Sequence, residues 1–122
     1  MIGLWLPVAL WMGAIYWGAA TPNAPSAVQD VSDTIMHMFA YSGLALLALR
    51  AVAKGRWSGV TMTALVMAFV IAVVHGLTVE WEQMFIPERV AEWRDVGNDI
   101  IGSLAGLACA WAWSKIRGRN DL

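Results

Sequence analysis

Charge is what this 122-residue chain has least of. Asp, Glu, Lys and Arg make up 14% of it, against about a quarter in soluble domains. Cysteine is scarcer still. The single Cys109 excludes an intramolecular disulfide, and its place in a small-residue stretch reads as packing. No Lys or Arg precedes the first apolar run, so the basic flank of a secretory signal peptide is missing. A P-loop, a GxGxxG turn, a serine elbow and HExxH are all absent, which removes the sequence grounds for the chemistries those motifs support. The connections between apolar runs are too short to hold a soluble domain.

What is abundant is hydrocarbon. Residues of the hydrophobic class make up 59% of the chain. They form four runs of 19 to 23 residues, near Ile2–Ala20, Thr34–Ala53, Trp57–Val79 and Val96–Ser114. About 20 apolar residues span a bilayer as a helix. The reading is therefore an all-α integral membrane protein with one domain, four transmembrane helices and an up-down bundle. A soluble bundle would need a polar face along each helix, and the first and third runs have none. The predicted helices cover 2–20, 34–53, 57–84 and 95–114. Pro22 and Pro25 place Thr21 to Val31 in a loop, Ser32 or Asp33 caps the second helix, Trp57 opens the third, and Pro87 stops the chain from continuing it.

Charge divides by side. With four spans, Arg50, Lys54, Arg56, Lys115, Arg117 and Arg119 share one side, and Arg89 and Arg94 take the other. The excess of basic residues in short loops marks the cytoplasm, so both termini are predicted cytoplasmic, in a multi-pass protein of the bacterial inner membrane. Eight of the nine acidic residues fall on the outer side: Asp30, Asp33, Glu80, Glu82, Glu88, Glu92, Asp95 and Asp99. The basic residues suit anionic lipid rather than nucleic acid. Tryptophans gather at both ends: Trp17, Trp81 and Trp93 outside, Trp5, Trp57, Trp111 and Trp113 inside, as interfacial belts.

The polar residues near the outer end fall on shared helical faces. Asp33, His37 and Tyr41 are spaced i, i+4, i+8 on the second helix. Gly76, Glu80 and Gln83 share a face of the third, and Asp95, Asp99, Gly102 and Gly106 one of the fourth, with Asn98 beside them. A charge at the bilayer centre costs roughly 2.5–3.5 kcal/mol on insertion scales, and intramembrane ionisable residues normally face the bundle interior and mark function. Asp33 and Asp95 also fit the bland role of partners for a helix N-terminus, whereas Glu80 at a C-terminus opposes the dipole. His75 lies about 140° around its helix from Glu80 and reads as a packing or lipid-interface residue. Gly102-x-x-x-Gly106 permits close helix approach.

Chemically, such a site suits an amphiphile whose chains stay in the bilayer. His37 is the proton carrier suited to neutral pH. Glu80 serves as a base or orients the imidazole. Arg89 holds a phosphate. The histidine and carboxylates could also hold a divalent metal, although no tight ligand spacing is present.

Two blocks resemble the VanZ-like family of small bacterial membrane proteins. SDTIMHMFAYSGLALLAL at Ser32–Leu49 is similar to SDK-x-x-H-F-x-x-Y-x-x-L. GLTVEWEQMFIPERVAEWRDVGNDIIGSLAG at Gly76–Gly106 is similar to G-x-x-x-E-x-x-Q-x-F-x-P-x-R followed by D-x-x-x-N-x-x-G-x-x-x-G. Together they cover 49 of 122 residues. The resemblance implies a site of Asp33, His37, Tyr41, Glu80, Gln83, Arg89 and Asp95. Within it, His37, Glu80 and Asp95 are catalytic candidates, and Arg89, Tyr41, Gln83 and Asp33 contact substrate or phosphate. Thr34 stands where the family has lysine. Asp99 stands where it has asparagine, with Asn98 one position early, so both are secondary candidates. The family takes its name from a protein linked to teicoplanin resistance. It implies action on a lipid head group or a lipid-linked cell-wall precursor, and one reading of the polar residues is a head-group hydrolase or transferase. The alternative is a non-catalytic lipid- or glycopeptide-binding or assembly protein of the envelope.

Overall fold

The computed structural model describes residues 2–20, 26–85 and 93–117, with side chains at 2–17, 35–82, 84–85 and 96–116. Among the described residues the chain is all-helical: α1 (Ile2–Ala20), α2 (Ser26–Val52), α3 (Met62–Gln83) and α4 (Trp93–Arg117), with a single 3-10 turn, Trp57–Gly59, leading into α3. The order and number of helices agree with the sequence reading, and three boundaries differ. Helix α2 starts at Ser26 rather than near Thr34, so Ser32 and Asp33 lie inside it rather than at its start. Pro25 directly before the helix is compatible with a helix start, and Ala27 to Gln29 extend it. Trp57 does not open α3. Thr61 does, its hydroxyl accepting a 3.1 Å hydrogen bond from the Ala64 amide, a standard way to satisfy an orphan N–H at a helix start. Helix α4 runs on through Trp111 and Trp113 to Arg117.

The α2–α3 corner is tight. Lys54 and Gly55 both take positive φ, 59° and 74°, and the Gly55 amide returns to the Arg50 carbonyl at 2.8 Å. Left-handed residues that satisfy the last carbonyls are the usual end of a helix. The turn reverses the chain and sets α3 antiparallel to α2.

Small residues draw the helices together. Ala64, Ala68 and Ala72 form a buried stripe along α3 that continues through Gly76 to Glu80. Helix α4 buries Val96, Asp99, Gly102, Ser103, Gly106, Leu107, Ala110 and Ser114, and α2 buries Tyr41, Leu44, Ala45, Ala48 and Leu49. The α2–α4 pairing is the most extensive. A side chain on Gly102 would meet the Met38 backbone, and one on Gly106 would stand 2.5 Å from the Ser42 hydroxyl. The expected role of Gly102 and Gly106 is thereby confirmed, and α2 is the helix they admit.

The outer surface is apolar. Leu10, Phe39, Met62, Val70, Leu104 and Trp81 are among many large hydrophobic side chains left exposed. Two segments, Ile35–Val52 and Met62–Glu82, are long and apolar enough to cross a membrane, and a third or less of each is buried. Ile2–Trp17 is a shorter apolar helix. Helix α4 does not reach that measure among the described residues, because Asn98, Asp99, its glycines and its serines dilute its hydropathy. Cys109 is exposed, not packed, since the buried stripe of α4 passes through Leu107 and Ala110 on either side of it.

Candidate functional site

The polar side chains meet where α2, α3 and α4 come together in the half of the bundle that holds the ends of α3 and the start of α4. Helix α2 brings His37 and Tyr41 to one face, four residues apart, with their rings stacked at 6.4 Å between centroids and 17° between planes. Helix α4 presents Asp99, whose side chain is 2% exposed, while that of His37 remains 21% exposed. His37 Nδ1 lies 2.7 Å from Asp99 Oδ1. A carboxylate only accepts, so Nδ1–H donates, and Nε2 is the nitrogen on which the neutral ring takes up a proton. A buried carboxylate that orients a partly accessible imidazole is the arrangement by which a histidine is readied as a general base.

Room for Asp99 comes from Gly76. A Cβ there would stand 2.8 Å from Asp99 Oδ2. Ser103, fully buried, donates to the Asp99 carbonyl at 2.8 Å and sits 3.5 Å from the Tyr41 carbonyl. Exchanging glycine for alanine inside a helix ordinarily stabilises by about 0.5–1 kcal/mol. Gly76→Ala is expected to do the opposite and destabilise by about 1–3 kcal/mol, the range for overpacking. Thermal unfolding in detergent measures the sign.

Tyr41 is 1% exposed, and its hydroxyl lies 3.0 Å from His75 Nδ1. His75 Nε2 in turn donates to the Met12 carbonyl of α1 at 3.3 Å. The half-buried ring is compatible with the expected packing role, and its two hydrogen bonds are what the spacing did not reveal. Helix α3 contacts α1 as well as α2 and α4, and the face about 140° from Glu80 is the one from which His75 reaches α1. Trp11, absent from both predicted belts, also points inward: its Nε1–H donates to the Ala40 carbonyl at 2.7 Å, and its ring lies against Gly43. Its position midway along α1, far from either belt, was the available signal.

Glu80 is buried, at 8% exposed, at the end of the small-residue stripe of α3, and Glu80 and Asp99 both lie within electrostatic range of Tyr41. Glu82 is exposed and within hydrogen-bond reach of Tyr16. Asn98 is half-buried. Asp33, Gln83 and Asp95 lie within their helices, but their side chains fall outside the described residues, as does Arg89 altogether. The structure thus brings His37, Tyr41, Glu80 and Asp99 together, adds His75 and Ser103, and promotes Asp99 from a secondary candidate to the direct partner of His37. Among the described residues no group of three or more His, Cys, Asp or Glu is arranged to hold a metal ion. No protein-family model matches the chain, and no curated protein or solved structure is significantly similar to it.

Proposed function

We propose that this is a four-span, VanZ-like protein of the bacterial inner membrane, with both termini cytoplasmic, that acts on a phosphate-linked lipid head group or a lipid-linked cell-wall precursor at an outward-facing site. The observation that carries the reading is the His37–Asp99 pair at 2.7 Å, with the carboxylate buried and the imidazole partly accessible. The exposed apolar residues of α2 and α3 support the membrane setting, because soluble proteins rarely leave such contiguous patches. Burying an ionisable pair among apolar helices is costly and typically functional.

In this reading His37 Nε2 accepts the proton of an attacking water or hydroxyl group as its oxygen bonds to phosphorus. The imidazolium, held by Asp99, returns the proton to the departing alcohol oxygen as the phosphorus–oxygen bond breaks. Glu80 supplies a second carboxylate near the reacting groups. Arg89 and Asp95 belong to the same proposed site, Arg89 as the phosphate contact.

The test places purified protein in nanodiscs containing phosphatidylethanolamine, phosphatidylglycerol, cardiolipin and undecaprenyl-linked lipid, with and without divalent metal. Mass spectrometry follows head-group loss or exchange. The expected result is turnover by the wild type that falls by about 10²–10⁴-fold in His37→Ala, the usual worth of general acid–base catalysis, and that also drops in Glu80→Gln. An apolar groove of about 340 Å³ between α3 and α4, lined by Met62, Leu65, Phe69, Leu104, Leu107 and Trp111 among others, favours a second reading, lipid binding without chemistry. Retention of one lipid through purification, with no turnover, would select it.

A further inference from the structure

His75 contacts two neutral groups, one on each ring nitrogen, and one of them can only accept. The Met12 carbonyl takes a hydrogen bond from Nε2 at 3.3 Å, so Nε2 carries a proton. His75 lies within the apolar segment Met62–Glu82 and is half-buried, where a charge is costly. A neutral ring protonated on Nε2 has a lone pair on Nδ1, which stands 3.0 Å from the Tyr41 hydroxyl. That hydroxyl is therefore the donor. Its proton points away from α4 and toward α3, and the Tyr41 ring it anchors is the one stacked on His37.

We propose that His75 is a positioning residue, and that the backbone carbonyl of Met12 sets its tautomer. The chain of control runs from α1 to the site: the Met12 carbonyl places the proton on His75 Nε2, His75 Nδ1 fixes the direction of the Tyr41 hydroxyl, and the held Tyr41 ring fixes the plane of His37 while Asp99 holds its Nδ1–H. The two histidines consequently keep opposite tautomers, His37 protonated on Nδ1 and His75 on Nε2. Tyr41 acts as a strut rather than as a contact for substrate. Helix α1 is thereby coupled to the site without giving it a side chain. The tautomer follows from the contacts alone; the consequence for turnover rests on the function proposed above.

The chain has two histidines, so nitrogen NMR of the full-length protein in nanodiscs, labelled with 15N-histidine, shows two imidazoles. Signals that vanish in His75→Gln belong to His75. The expected spectrum gives His75 one protonated nitrogen, Nε2, and one bare nitrogen, Nδ1. In Tyr41→Phe the Nδ1 signal shifts as its hydrogen bond is lost, while the Nε2 proton stays. A proton on Nδ1, or on both nitrogens, overturns the assignment whatever the turnover assay gives. The positioning role is read separately. In His75→Gln the ring-proton resonances of His37 should move, because Tyr41 is no longer held against it, and turnover should fall about fivefold, the worth of one neutral hydrogen bond. Unmoved His37 resonances would reduce His75 to a packing residue. Absence of turnover in the wild type would instead count against the proposed function and leave both spectroscopic results readable.

Discussion

Asp99→Asn should lower head-group turnover by about 10²–10⁴-fold, as much as losing His37 itself, while leaving the helices assembled. Asparagine has the same shape as aspartate, so the space beside Gly76 stays filled. What changes is the partner offered to His37 Nδ1. The carboxylate accepts from Nδ1–H at 2.7 Å and stabilises the imidazolium that forms as the proton is taken up. An amide carries no charge to do so, and its NH₂ can donate to Nδ1, reversing the tautomer and turning Nε2 from acceptor to donor. The measurement compares wild type, Asp99→Asn and His37→Ala in the nanodisc assay, with unfolding temperature as the control. Equal turnover in Asp99→Asn and the wild type would remove Asp99 from the mechanism and leave the pair a structural contact. Loss of turnover with an unchanged unfolding temperature is the expected result.

Gly102→Leu is expected to have the largest effect on assembly, a loss of about 3 kcal/mol or more. Overpacking a tight site costs about 1–3 kcal/mol when side chains can shift. Here the obstacle is the Met38 backbone, which moves only if α2 and α4 separate. In the membrane setting proposed above, helices gain nothing from expelling water between them and depend on close packing and hydrogen bonds, so a wedge in the most extensive pairing is poorly compensated. The same helix contains its own control. Gly97 has open space where a side chain would go, so Gly97→Ala should be neutral or stabilise by up to about 1 kcal/mol, the gain in helix propensity. Unfolding of both variants in detergent, followed by circular dichroism, separates the two. A Gly102→Leu protein as stable as Gly97→Ala would mean that α2 and α4 are not held at this distance.

Much of the site was legible in the sequence because helical spacing relates residues on one helix. His37 and Tyr41, four residues apart, had to share a face, as did Gly76 with Glu80 and Asp99 with Gly102 and Gly106. The start of α2 at Ser26 is not legible in the sequence, because Pro22 and Pro25 mark a break without saying how soon helix resumes. The hydrogen bonds of His75 are not legible from its angle to Glu80, because that angle does not say that α1 lies on that side. Trp11 lies midway along α1, where a tryptophan carries no belt signal.

The sequence by itself determined that the chain forms long apolar helices in a fixed order and that their polar residues gather toward one end. Hydropathy and period act along a single helix, and each is written in consecutive residues. Only the tertiary structure decided which carboxylate faces His37 and that His75 joins Tyr41 to α1. Those choices depend on how far each helix is rotated and raised relative to its neighbours. That offset is set by where backbones can touch, at Gly102 against Met38, at Gly106 against Ser42 and at Gly76 against Asp99, and no periodicity along one helix contains it.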